Sequence, residues 1–339
     1  MTIRFECLAD LARLPYFKLE ESPTGQRLVL SDRALGPTID VHTHLALSYL
    51  FPNRVDLAKE WPETEHYLPK TQPIDLDVYI NKNFSPEQLA ALEHDLVWMS
   101  TTGSGMRRTH TLPNLAREMR ELSVSQSVLL PIDYPIFSKN AENWLEVSKG
   151  RGDFVCFGSV HPFRPGLEKR LDHQIAMGAR GIKVHPAVQL VGPEHPRAMR
   201  IYRLAAARKL PILFHCGPVG IDKPSGRRLT QVHRYEKPIA ETPDCTFVLG
   251  HSGALQWEEA LGLAQKYPNV WLETSSQALS AVRRILAEAP RDRILYGSDW
   301  PFYHQAIGLA KLFLATEGND ALRAAVTHGN ARRLLGLTV

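Results

Sequence analysis

Short apolar runs recur along the chain, each closing on Gly, Pro, His or Asp or just before a polar turn: residues 38–44, 127–133, 153–161, 179–185, 211–215, 245–251, 269–274 and 293–299. Near-continuous apolar runs of this length read as parallel strands buried on both faces. Helical stripes lie between most of them, such as Leu167, Leu171 and Ile175, or Ile201, Leu204, Ala205 and Arg208. From the second run onward the spacing is that of a strand–helix–strand unit of roughly 30 residues, in which a helical crossover returns the chain to the next parallel strand. Eight such units favour a closed (β/α)8 barrel over an open, doubly wound sheet, because closure removes both edges.

The first gap breaks the rhythm. Residues 113–123 read as the helix that belongs after strand one, which leaves 45–112 as an insertion bearing Trp61, Tyr67, Tyr79, Phe84 and Trp98. It follows strand one at the mouth where barrel enzymes build their sites, so it is expected as a lid or substrate wall; a surface excursion is the plainer alternative. Residues 1–36 form an N-terminal extension, in which 17–20 and 26–30 can pair as a hairpin around Ser22-Pro-Thr-Gly25. A single domain over 1–339 accounts for the length.

Composition narrows the setting. The net charge of +4 on 339 residues comes without a basic run longer than a pair, which argues against nucleic acid. Cys7, Cys156, Cys216 and Cys245 form no CxxC pair and are expected as free thiols in a reducing compartment. The first residues lack a signal peptide's apolar run, and no stretch approaches the length needed to cross a bilayer. A cytoplasmic protein is expected, its partner a small-molecule substrate rather than a membrane, with a homo-oligomer left open.

The chemistry gathers at strand ends. In Asp40-Val-His-Thr-His44, alternation sends His42 and His44 to one face and Val41 and Thr43 to the other. Strand five ends in His215, strand six in His251 and strand eight in Asp299, each where an apolar run stops. Any one of these histidines is explained by a bond to a backbone carbonyl. Burying several without partners costs roughly 1–3 kcal/mol each, and a cation relieves that by taking up their lone pairs.

With these residues in place the chain resembles the amidohydrolase superfamily, in its amidohydrolase-2-like branch of TIM-barrel metal-dependent hydrolases that also holds aromatic-acid decarboxylases. The motifs are Ile39-Asp-Val-His-Thr-His44, Gly181-Ile-Lys-Val-His-Pro186, Leu213-Phe-His-Cys-Gly217, Val248-Leu-Gly-His-Ser-Gly253, Tyr296-Gly-Ser-Asp-Trp-Pro301 and Gly329-Asn-Ala-Arg-Arg-Leu-Leu335. They cover strand one and nearly all of 113–335, but not the insertion. The resemblance implies one divalent cation on His42, His44, His215 and Asp299, with His251 polarising the substrate or bonding the metal-bound water. Three imidazoles and a carboxylate suit zinc, with manganese as the alternative. Such an ion lowers the pKa of its water from about 15.7 to about 7, and Asp299 can then carry the proton.

Lys183 has two roles open to it. Binuclear members of the superfamily carry a carboxylated lysine on strand four, whereas in this branch the Gly-Ile-Lys stretch accompanies a single metal, leaving Lys183 to face an acidic substrate group or act as electrostatic support. His161, His185 and Asp133 also end strands and are expected to support. Arg107, Arg108, Arg227 and Arg228, with Arg234, lie on segments expected above the site, where arginine would clamp a substrate carboxylate; solvated surface pairs are the plainer explanation. The expected activity is hydrolysis of an ester, lactone or amide of a small, acidic substrate by metal-activated water. The alternative is a carboxy-lyase acting on a hydroxy-aromatic or related acid, and a non-catalytic barrel fits poorly with an intact ligand set.

Overall fold

The computed structural model describes residues 3–23, 25–49, 51–135 and 138–337. Eight parallel strands build the barrel: β1 (Thr38–Thr43), β2 (Val124–Leu129), β3 (Phe154–Cys156), β4 (Ile182–Val184), β5 (Ile212–His215), β6 (Phe247–Gly250), β7 (Val270–Glu273) and β8 (Ile294–Leu295). They run as two arcs, β1-β2-β3 and β4 through β8. Two single parallel bridges join the arcs, Gly158 to Ile182 and Thr43 to Trp300. The second seam is sewn by backbone bonds from Val41 N–H to Tyr296 O (3.0 Å), Asp299 N–H to His42 O (2.8 Å) and His44 N–H to Trp300 O (2.7 Å). These connections close the (β/α)8 barrel that the spacing predicts.

Every expected strand is present, and most are shorter than the apolar run that marks them. The second begins earlier than expected, at Val124, because its exposed Ser125 and half-buried Gln126 interrupt the apolar pattern without ending the pairing. Beyond Cys156 the third run leaves the ladder except for the bridge at Gly158, although its residues stay buried. In β1 the register against β2 shifts between Asp40 and Thr43, where the Asp40 carboxylate accepts the His42 backbone N–H (3.1 Å). The even alternation expected over Asp40–His44 is therefore broken, as β-bulges do next to active sites.

The helix expected over 113–123 spans Leu112–Glu121, with Pro113 in its first turn and Leu112, Leu115, Ala116 and Met119 buried. Leu167–Ala176 and Pro196–Ala207 likewise turn their expected stripes inward. In the N-terminal extension Phe17–Ser22 pairs antiparallel with Gly25–Leu30, Phe17 opposite Leu30, and Arg27 bonds Glu121 (2.7 Å), fastening the hairpin to the helix that follows the insertion. Thr24, in the expected turn, lies outside the described residues.

The insertion is ordered by its own capping chemistry. Ser85 Oγ accepts from Gln88 N–H (3.3 Å) while Gln88 Oε1 accepts from Ser85 N–H (2.9 Å), a reciprocal cap that starts the helix Pro86–Val97. Asp95 on that helix accepts from Tyr67 Oη (2.9 Å) and Met106 N–H (2.7 Å), tying three parts of the insertion together. The four cysteines are unpaired. Among the described residues no helix is long and apolar enough to cross a membrane.

Candidate metal centre and active site

The C-terminal ends of the strands deliver His42, His44, Lys183, His215, His251, Glu273 and Asp299 to one buried floor, each at most 8% exposed. Glu273 is the residue that the sequence reading missed. It carries the signal that marked Asp299, an ionisable side chain ending an apolar run (Val270-Trp-Leu-Glu273), but no family motif drew notice to it.

Ring nitrogens are assigned by their partners. His42 Nδ1 lies 2.7 Å from Glu273 Oε1 and His44 Nδ1 lies 2.8 Å from the Leu130 carbonyl, so both Nδ1 atoms donate and both Nε2 atoms keep a lone pair. Those lone pairs face one carboxylate: Asp299 Oδ1 is 3.7 Å from His42 Nε2 and 3.5 Å from His44 Nε2. Lys183 Nζ stands 3.1 Å from His42 Nε2. His42, His44 and Asp299 therefore present donor atoms close enough to share one ion, and His42, His251 and Glu273 form an overlapping second group.

His215 completes the expected ligand set less directly. Its Nδ1 is 3.2 Å from His251 Nε2, its Nε2 is buried without a hydrogen-bond partner, and its ring stacks on His185 at 3.9 Å. It lines the same cavity as His44 and Asp299 but is not within the tight donor group. An unpartnered buried ring nitrogen lining the same cavity as two Nε2 donors and a carboxylate fits a divalent cation, and the nitrogen-rich set suits zinc or a neighbouring ion.

Burial governs the protonation states. It holds His44 and His215 down to about 3, helped by the Lys183 ammonium, and pushes His42, His251 and His185 well below the usual histidine range. Neutral imidazoles are the form that binds metal. Burial raises the Asp299 carboxyl well above the usual range, with Lys183 opposing the rise, and lowers Lys183 to about 8 against the pull of Asp299 and Glu273. His251 and Asp299 also hold left-handed backbone, φ 54° and 65°, a conformation that costs roughly 1–3 kcal/mol and clusters at functional sites. Gly297 is needed for room: a Cβ there would lie 2.2 Å from Glu273 Oε2 and 2.9 Å from His42 Cβ.

Above the floor opens a cavity of about 290 Å³. Its walls are largely apolar: Leu47, Tyr49 and Leu96 from the insertion, Ile132, Val188 and Leu190 after β2 and β4, Val219 and Ile221 after β5, and Phe302 after β8. Tyr79 and Asn81 of the insertion also reach it. Trp61 and Trp98 do not line it. Trp61 lies under the Lys59 ammonium (4.0 Å), with its backbone N–H bonded to Asn114, and Trp98 is 65% exposed.

The arginines expected over the substrate are placed elsewhere, because sequence position fixes a segment but not the direction of its side chains. Arg107 is buried behind the wall beside Tyr49, Tyr67 and Tyr134. Arg108 pairs with Glu65, and Arg227 is exposed on the helix Pro224–Leu229; none of the three lines the cavity. Arg234 pairs with Glu194. His161 and Asp133 do support the fold: His161 Nε2 bonds the Gln189 carbonyl (2.9 Å), and Asp133 accepts from Ser138 Oγ (3.2 Å) and Ala141 N–H (3.2 Å).

A closed barrel with a histidine- and carboxylate-lined, metal-competent floor at its C-terminal mouth defines a class, the metal-site (β/α)8 barrels. The chain belongs to the Amidohydrolase family, a family of enzymes whose sequence profile matches residues 39–337. Three solved structures illustrate its likeness. An uncharacterised TIM-barrel protein from Bordetella bronchiseptica is 19% identical, with TM-score 0.58 over 67% of this chain and 83% of that one. A 2,6-dihydroxybenzoate decarboxylase complexed with 2,6-dihydroxybenzoate is 19% identical, with TM-score 0.55 over 75% and 96%. A probable 2-pyrone-4,6-dicarboxylic acid hydrolase from Acinetobacter baumannii is 12% identical, with TM-score 0.54 over 89% and 100%. At these identities the likeness is one of fold. No curated protein matches the chain significantly.

Proposed function

We propose that the chain is a metal-dependent hydrolase that opens an ester, lactone or amide bond in a small substrate bearing one acid group on an apolar body. The observation that carries this reading is the convergence of His42 Nε2, His44 Nε2 and Asp299 Oδ1 at the base of an apolar-walled cavity. His42, His44 and Asp299, with His215, would hold the ion, for which zinc is the best fit and manganese the alternative. Bound there, a divalent ion supplies Lewis acidity toward a substrate oxygen and lowers the pKa of water.

The remaining work belongs to the chain. The Asp299 carboxylate takes the proton released as water adds to the substrate carbonyl and returns it to the leaving oxygen or nitrogen. Lys183 is the floor's cation and pairs the substrate's acid group. At the mouth, Lys223 is already bonded to Glu93 (2.8 Å) and among the described residues no arginine lines the cavity, so a second carboxylate would be buried without a side-chain counter-charge, at several kcal/mol. Leu47, Leu96, Ile132, Val188 and Phe302 pack the apolar body and exclude water.

A carboxy-lyase is the second reading, favoured by the same walls: desolvating a carboxylate in an apolar cavity destabilises it relative to neutral CO2. The similarity in fold to a 2,6-dihydroxybenzoate decarboxylase adds weight to it. A panel of aryl and alkyl lactones, esters and amides beside hydroxybenzoates, with acid release and CO2 release followed separately, decides between them. Acid release without CO2 is expected; CO2 release from the hydroxybenzoates with no ester, lactone or amide cleavage would overturn the hydrolase.

A further inference from the structure

Glu273 touches more of the floor than any single catalytic duty requires. Its Oε1 accepts from His42 Nδ1 (2.7 Å), from the His251 backbone N–H and from Ser275 Oγ (2.7 Å), while its Oε2 accepts from Ser275 N–H (2.8 Å). Ser275 Oγ lies in turn 2.8 Å from His251 Nδ1, and His251 Nε2 lies 3.2 Å from His215 Nδ1.

Each contact in this chain has room for one proton, and that fixes the order. Both Glu273 oxygens already accept, from His42 Nδ1, the His251 N–H and the Ser275 N–H, so the single Ser275 hydroxyl proton points to Oε1 as well; turning it toward His251 would leave two bare oxygens facing each other at 2.7 Å. Ser275 Oγ must then accept from His251 Nδ1–H. A neutral His251 has its lone pair on Nε2, which accepts from His215 Nδ1–H. His215 Nε2 is left as a bare lone pair, and it is the atom that is buried with no partner. His42 reaches the same state directly, since its Nδ1–H is spent on Glu273.

We propose that Glu273 and Ser275 are positioning residues that set the ring-proton placement of two separate ligands, His42 directly and His215 through His251, so that both offer Nε2 to the ion. The inference rests on the metal site proposed above but on none of its chemistry. It makes His251 a link in this chain in the resting protein, with both ring nitrogens engaged inside the protein rather than aimed at substrate. It also gives Gly297 its reason, since any side chain there displaces the carboxylate from which the order starts.

The test is two-bond 1H–15N spectroscopy of histidine-labelled, full-length protein stripped with chelator, which reports the nitrogen that carries each ring proton. His42 and His215 are both expected as Nδ1–H tautomers. In Ser275→Ala, His42 should keep its tautomer while His215 becomes mixed or Nε2–H, and Ser275→Thr, which retains the hydroxyl, should restore it. Zinc titration against a chelating dye should show Ser275→Ala weakening affinity by about 10–100-fold, the usual cost of losing an outer partner of a metal ligand, with Ser275→Thr near wild type. Two results overturn the proposal: a wild-type His215 carrying its proton on Nε2, or a Ser275→Ala protein with His215 tautomer and zinc affinity both unchanged. Neither readout uses a substrate, so failure of the hydrolase reading would leave this test standing.

Discussion

Asp299 holds left-handed backbone and a carboxylate within 3.7 Å of two imidazole lone pairs. Asp299→Asn keeps the shape and one coordinating oxygen while removing charge and basicity. At equal metal occupancy, measured by elemental analysis, the variant should lose about 10²–10⁴-fold in kcat with a much smaller change in KM, the signature of a lost acid–base. A metal-replete variant turning over near the wild-type rate would remove Asp299 from the chemistry. Residues of this kind were legible in the sequence because an ionisable group ending an apolar run is anomalous on its own; His42, His44, His215, His251 and Asp299 all carry that mark. Glu273 carries it too and went unread, since only its partners reveal what it does. Arg107, Arg108 and Arg227 were placed over the substrate from chain position, and side-chain direction on a loop is set by tertiary contacts that no local pattern encodes.

At the scale of elements, the insertion divides into a part that meets the cavity and a part that does not. Leu96, in the last turn of Pro86–Val97, lines the cavity, whereas Trp98 two residues on is largely solvent-exposed. Leu96→Ala removes apolar wall worth about 1 kcal/mol, so KM should rise roughly fivefold, while Trp98→Ala should leave KM within about twofold. The opposite ranking in steady-state kinetics would show that the helix approaches the cavity by another face. The existence and order of the strands followed from their apolar runs, but their ends did not. Pairing can continue past polar residues, as at Ser125 and Gln126, and can stop while burial persists, as beyond Cys156. The shift in β1 was likewise hidden, because a bulge between two histidines leaves the spelling His-Thr-His unchanged.

The molecule as a whole exists to bring distant positions to one floor. Closure between β1 and the segment after β8 sets His42 and His44 against Asp299, and the β5–β6–β7 ladder sets His215, His251 and Glu273 beside them. The result is a group of buried imidazoles held neutral by burial, with the His42 and His44 lone pairs turned toward the Asp299 carboxylate. Without a cation, the unpartnered His215 Nε2 is a cost of roughly 1–3 kcal/mol; with one the floor becomes a site whose binding energy adds to the stability of the fold. The central claim is one divalent ion on this floor. Elemental analysis of protein purified without chelator tests it most directly: the account predicts close to one equivalent of divalent metal per chain, lost in His42→Ala and His215→Ala. Full occupancy retained in both variants, or near two equivalents with a carboxylated Lys183, would contradict it.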